Sequence, residues 1–182
     1  MKHNKVLHSS KLLVLAAVGL TLLLGIASNK TEAGVYLLEL DRGGTCSVTS
    51  TQDGVYTAAH CFGSGAQPEY DLVILADSVY PERLPVCDSL PKIGEIVTAE
   101  GYPGVFGGDN LRKSDHMILQ YTNGVVIASG SIRVGESGGA VVTESGCVFA
   151  IVRGIALAEN GYDVTFFTVL PQLLTEIHHG DI

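Results

Sequence analysis

Beyond residue 33 the chain alternates short apolar runs with clusters of Gly, Pro, Asn, Asp and Ser. The runs are rich in Val, Ile, Thr and Tyr, the residues that fit a pleated, half-buried surface. Strands are predicted over 34–40, 45–50, 54–60, 71–76, 95–101, 116–121, 125–129, 139–144, 147–155 and 163–169. The run Leu72-Val73-Ile74-Leu75 is continuously apolar, as in a strand covered on both faces. Thr122-Asn123-Gly124 and Glu144-Ser145-Gly146 are turn signals at hairpin positions. Pro171 opens a short helical segment reaching about residue 178, with Leu173, Leu174 and Ile177 on one face. Ten strands and one terminal helix predict an all-β protein of barrel or sandwich type. The stretch 85–91 reads as a boundary between two lobes. No repeat, heptad or low-complexity tract interrupts this pattern.

The first 33 residues follow a different rule. Lys2, Lys5 and Lys11 precede an apolar run over 12–27, which ends in small residues. A basic start, apolar middle and small-residue end describe an export signal, with cut points after Ala27 or Ala33. The run is shorter than the roughly 20 residues of a spanning helix. The alternative is a retained anchor, attached to a membrane through 12–27 with the folded part outside the cytoplasm. The expected location is therefore secreted or periplasmic. Removing the segment takes away Lys2, Lys5, Lys11, Lys30 and Glu32, which deepens a net charge of −8. With no basic cluster after the leader, phosphate-driven nucleic-acid binding has no support. The four cysteines, Cys46, Cys61, Cys87 and Cys147, predict two disulfides in an exported chain, with three possible connectivities. Without export they would be reduced core thiols.

Chemistry enters with Gly135-Glu136-Ser137-Gly138-Gly139 and, upstream, Thr57-Ala58-Ala59-His60-Cys61. A serine hydroxyl is a poor nucleophile at neutral pH. It needs a base in reach, a carboxylate to orient the base, and donors for the oxyanion. Glycines at 135 and 138 permit a tight turn that aims Ser137 outward, with the Gly135 and Ser137 N–H groups converging as an oxyanion hole. His60 ends a strand of small residues. Asp71 enters an apolar strand, where a carboxylate needs a donor such as a histidine N–H. Each motif alone has a plainer reading: a glycine-rich hairpin, a surface histidine, a solvated turn residue.

These residues resemble the three signatures of chymotrypsin-fold (trypsin-like) serine proteases in that family's His, Asp, Ser order. The segment 84–103, running from Leu84-Pro85-Val86-Cys87 to Gly101-Tyr102-Pro103, is similar to the inter-barrel stretch of bacterial HtrA-type proteases. The resemblance covers roughly 34–178. It implies two β-barrels with the site between them and a serine endopeptidase working on peptide or protein substrates without a cofactor. It makes Ser137 the nucleophile, His60 the base and Asp71 its orienter. It implies a Cys46–Cys61 bridge beside the histidine and, with it, Cys87–Cys147. It divides the chain into a leader (1–33), a first barrel (34–84), a connector (85–94), a second barrel (95–170) and a helical tail (171–182). By the same pattern Ser131 and Ile132 lie at the base of a specificity pocket. Arg153, Gly154, Ile155, Thr165 and Phe166 then form its walls, and 152–155 is a strand to which substrate backbone adds. No carboxylate occurs among these positions, so a small or medium apolar residue before the scissile bond is expected.

The chain departs from the family in three places. Only eleven residues separate His60 from Asp71, where the family usually has two further strands. A first barrel of about four strands beside a second of six is therefore expected. No Ile-Val-Gly-Gly precedes the first strand, so activation by a new N-terminus is unsupported. Glu136 needs a partner, for which Arg133 and Arg153 are the candidates. The reduced first barrel keeps a second function in play: a non-catalytic relative that binds peptides in the cleft. An esterase is disfavoured, because the residues around Ser137 do not read as strand, elbow and helix. His178-His179 reads as a tail and not a metal site, and Asp115-His116 as the start of a strand and not a dyad.

Overall fold

The computed structural model describes residues 31–32, 34–41, 43–63, 70–76, 79–104, 110–157 and 161–174. The apolar run 12–27, the loop 64–69 and the tail with His178-His179 lie outside the described residues. Two lobes follow one another along the chain.

The first is an antiparallel sheet in the order β1-β2-β3-β4-β5: β1 (Thr31–Glu32), β2 (Val35–Glu39), β3 (Thr45–Thr51), β4 (Gly54–Ala58) and β5 (Leu72–Leu75). With β1 only two residues long, four full strands remain, the reduced lobe expected from the short His60–Asp71 spacing. One face packs on itself through Tyr36, Leu38, Cys46, Val48, Val55 and Tyr80. The opposite face packs on the second lobe, where Val35, Leu37 and Tyr56 meet Tyr102, Val148, Ile151 and Leu170. Burial on both faces explains why β2 is apolar at consecutive positions. The register Val35↔Thr49 and Leu37↔Ser47 puts the Ser47 and Thr49 side chains on the inter-lobe face.

The second lobe is a closed six-stranded barrel in the order β10-β11-β8-β7-β6-β9. Its strands are β6 (Ile96–Gly101), β7 (Arg112–Thr122), β8 (Val125–Ser129), β9 (Ala140–Val142), β10 (Val148–Leu157) and β11 (Asp163–Val169). Val97, Ile118, Val126, Phe149, Val152 and Phe167 fill it. Closure removes most edges. β9 pairs with β10 only up to Ile151, so among the described residues 153–157 keeps a free edge on that side.

Several boundaries differ from the pattern-based reading, three of them in ways that bear on the site or its packing. β4 stops at Ala58, and Ala59–Phe62 forms a 3-10 turn that carries His60. β7 begins at Arg112, because its polar start pairs with β6 although it lacks an apolar period. The tail segment is 3-10 over Pro171–Leu173, with Leu173 buried in the barrel core.

Cys46–Cys61 ties β3 to the 3-10 turn, and Cys87–Cys147 ties the connector to the barrel. The sequence separations are 15 and 60, so loop-closure entropy gives about 3 and about 4 kcal/mol respectively. Replacing Cys87 and Cys147 by Ala should lower unfolding free energy in urea more than replacing Cys46 and Cys61. The reverse order would mean that native packing around Cys61, and not chain entropy, sets the first bridge's contribution.

Candidate active site

Asp71 is 4% exposed and has the left-handed backbone φ of 50°. That conformation is uncommon outside glycine, though Asp tolerates it better than most residues. Three bonds hold it. The Ala59 amide donates to the Asp71 carbonyl (3.0 Å), the His60 amide to Oδ1 (2.9 Å), and His60 Nδ1 lies 2.7 Å from Oδ2. Just before it, the Thr168 hydroxyl of the second lobe donates to the Tyr70 carbonyl (2.7 Å). A carboxylate can only accept, so Nδ1 of His60 carries the hydrogen and Nε2 of the neutral ring keeps its lone pair. A ring held this way can take a proton at Nε2. The His60 side chain is about one-third exposed (34%), so it remains reachable.

The 135–139 turn is built from glycine constraints and from Ser47. Gly135 has φ 99°, and a Cβ there would meet the Tyr102 carbonyl at 2.6 Å. Gly138 has φ 87°, and its Cβ would run into the Ser47 carbonyl and the Thr57 hydroxyl. No side chain fits either place. Ser47, fully buried, holds the turn from the first lobe: its amide donates to the Ser137 carbonyl (2.7 Å) and its hydroxyl to the Gly135 carbonyl (3.0 Å). That hydroxyl also accepts from the Tyr102 amide (2.8 Å). Thr49 adds a bond to the Gly138 carbonyl (2.9 Å), and Thr57 donates to the Ser47 carbonyl (2.7 Å). The Ser137 carbonyl also lies 4.0 Å from Cys61 Sγ, next in chain to His60. Ser137 is half-buried. Its hydroxyl makes no hydrogen bond among the described residues.

The amides of the turn divide into two sets. Those of Glu136, Gly138 and Gly139 donate to the carbonyls of Arg133 (3.1 Å), Val152 (2.8 Å) and Glu136 (2.9 Å). Among the described residues the Gly135 and Ser137 amides donate to no carbonyl. Two donors left open in one turn can receive an anionic oxygen.

Glu136 finds a partner that the sequence reading missed. Its buried carboxylate accepts from Arg112 Nη1 at 2.9 and 3.0 Å, and from the Arg133 backbone amide at 2.8 Å. Arg133 thus contributes main chain and not charge. Arg153 pairs instead with Asp71, Nε to Oδ2 at 3.7 Å. Arg112 lies in the polar start of β7, which no apolar period marks. Ser47 and Thr49 did leave a signal, since Thr45, Ser47, Thr49 and Thr51 place hydroxyls on alternate positions of one strand.

The expected pocket positions differ in what they present. Ser131 is exposed, whereas Ile132 is buried in the barrel core. Thr165 is fully buried and donates to the Gly130 carbonyl (2.7 Å). Arg153, Gly154 and Ile155 follow the free edge of β10, and Phe166 is the register partner of Gly154. Val152 is not part of that edge, because its amide and carbonyl are taken by Gly139 and Gly138. His116 does not pair with Asp115, which accepts from Thr98. It is buried, edge-on to Phe167, with its nitrogens 2.6 Å from the Ser129 carbonyl and 2.9 Å from the Ser114 hydroxyl. Burial lowers its pKa from 6.5 despite the Ser129 bond. Among the described residues no three His, Cys, Asp or Glu side chains cluster as metal ligands.

No family model matches the chain. No curated protein matches it either. Solved structures do. A mutant of Rv3671c from M. tuberculosis H37Rv, in its inactive form, aligns with TM-score 0.61 at 20% identity over 84% of this chain and 90% of its own. The serine protease of a human pathogenic astrovirus aligns at 0.58 and 17% identity, over 79% and 94%. The HtrA-type protease AlgW with a decapeptide gives 0.56 and 19%, over 74% of this chain and 50% of that one. The fold is chymotrypsin-like, with similarity to HtrA-type structures.

Breaking the Arg112–Glu136 pair strands a buried carboxylate. Arg112→Met should therefore cost about 3 kcal/mol in chemical denaturation, and adding Glu136→Gln should return part of it. No recovery in the double variant would show that Arg112 acts by packing. Neutral His116 gives a second expectation. The unfolded chain takes up a proton below the ordinary histidine value of 6.5 while the folded one resists, so stability falls as pH drops below that value. Urea midpoints measured at about pH 7.5 and about pH 5.5 should diverge less in His116→Gln than in the parent. Equal divergence would assign the loss to other groups.

Proposed function

We propose that the chain is a serine endopeptidase whose nucleophile, base and orienting carboxylate are Ser137, His60 and Asp71. The observation that carries this reading is the 2.7 Å His60–Asp71 bond, in one site with a turn whose Gly135 and Ser137 amides are open. The fold shared with serine proteases supports it.

Ser137 Oγ attacks the scissile carbonyl carbon while its proton passes to Nε2 of His60. The imidazolium is stabilised by Asp71, and the tetrahedral oxyanion accepts from the Gly135 and Ser137 N–H groups. Collapse breaks the C–N bond, His60 protonates the leaving amine, and an ester to Ser137 remains. Water, deprotonated by His60, then hydrolyses the ester and Ser137 regains its proton. The hydroxyl closes on Nε2 when substrate binds; catalytic hydrogen bonds are often long in the unliganded state. The Arg112 guanidinium is the cation that fixes the turn through Glu136, in a chain where no Ile-Val-Gly-Gly precedes the first strand. Substrate backbone adds to the free edge at 153–157. The two disulfides support work in an oxidising compartment, outside the cytoplasm.

A second reading is a peptide-binding module without turnover. It is favoured by the Ser137 hydroxyl, which is unbonded among the described residues. A fluorophosphonate probe separates the two. Labelling of the oxidised protein, abolished in Ser137→Ala, is expected, and His60→Ala should lower peptide turnover by roughly 10⁴-fold or more while folding is kept. Folded, oxidised protein that takes no label would leave the binding module as the function.

A further inference from the structure

The second lobe has a cavity of about 510 Å³ over the face of β10, β11 and the β7–β8 hairpin, lined by Thr122, Asn123, Val125, Arg153 and Phe166. Two local features create it. Between Val152 and Gly154 the register of β10 against β11 shifts, so Arg153 is the extra residue of a bulge, a device that re-aims a side chain. The next residue, Gly154, has no side chain, and an added Cβ would meet nothing within 4 Å.

The lining is chemically one-sided. Val125 and Phe166 give an apolar wall, while Arg153, Asn123 and Thr122 give donors. Arg153 is about one-third exposed (34%) and approaches Asp71 with Nε 3.7 Å from Oδ2, outside hydrogen-bond distance. Its terminal amino groups, the Asn123 amide and the Thr122 hydroxyl make no hydrogen bond among the described residues. A guanidinium with its fork free, beside an amide and a hydroxyl, matches a carboxylate. The cavity also lies next to the place of reaction, because Val152, one residue before Arg153, accepts from the Gly138 amide of the nucleophile turn.

We propose that this cavity is a subsite for an acidic side chain of the substrate, two to four residues before the scissile bond, with Arg153 as its cation and Asn123 and Thr122 as further donors. The inference rests on the endopeptidase reading and adds a specificity to it. A substrate strand added along 153–157 carries its side chains past Arg153, which reaches the cavity over the face of the sheet. Arg153 then faces two carboxylates, Asp71 through Nε and the substrate through its terminal amino groups.

The test uses peptides identical except for Glu, Gln or Lys at the second, third or fourth position before the cleaved bond. At one position Glu is expected to exceed Gln by about tenfold in kcat/KM, the scale of one charge-assisted hydrogen bond, with Lys below both. Arg153→Gln should bring the Glu/Gln ratio close to one; the ratio is read so that any damage to Asp71 cancels. Asn123→Asp, which puts a second carboxylate in the cavity, should lower the same ratio. Affinities of the Ser137→Ala protein for these peptides, by fluorescence anisotropy, should follow the same order without turnover. Equal Glu, Gln and Lys values at every position in both assays, with turnover intact, would overturn the subsite and leave the peptidase reading standing. Preferential binding of the Glu peptide by a protein that neither cleaves nor takes a fluorophosphonate would support the cavity and remove the peptidase.

Discussion

Everything at the inter-lobe seam depends on one buried serine. Ser47 has no access to solvent, yet its amide, hydroxyl and carbonyl all bond across or along the seam, to Ser137, Gly135, Tyr102 and Thr57. Each of these groups would be costly to bury alone. Bonded together they allow the two lobes to meet through polar backbone at the 135–139 turn, which an all-apolar interface could not shape. The absence of a Cβ at Gly138 is the matching condition, since any side chain there would displace the Ser47 carbonyl.

Two buried carboxylates sit on either side of this seam, and each is made tolerable differently. Asp71 receives N–H groups from the first lobe, with Arg153 of the second lobe close by. Glu136 receives a guanidinium and a backbone amide from within the barrel. The first arrangement leaves an imidazole poised with a free nitrogen. The second fixes the backbone that carries Ser137. One pair therefore concerns protons and the other concerns geometry. The same arginine-rich economy leaves Arg153 with donors turned toward a cavity.

The reduced first lobe shows how little of that lobe the seam requires. Four full strands still present Val35, Leu37 and Tyr56 to the barrel and Ser47, Thr49 and Thr57 to the turn. The Cys46–Cys61 bridge anchors the 3-10 turn to β3, doing by covalent means part of what additional strands would do by pairing.

Much of this architecture is legible in the chain itself. Alternating and continuous apolar runs mark an all-β protein, and the resemblance to the chymotrypsin fold turns the short His60–Asp71 spacing into a four-strand first lobe beside a six-strand barrel. The Gly135-Glu136-Ser137-Gly138-Gly139 run is a local feature, so a local reading finds it. Arg112 is different. It pairs with Glu136 because β6 and β7 bring the polar start of a strand over the turn, a long-range consequence of barrel closure with no periodic trace. Arg153 faces Asp71 because a bulge turns it there, and strand periodicity cannot report a residue that breaks the period. Local composition thus determined the elements and their chemistry. The choice of which charge meets which was left to tertiary structure, because ion pairs follow distance in space and the sequence orders residues only along the backbone.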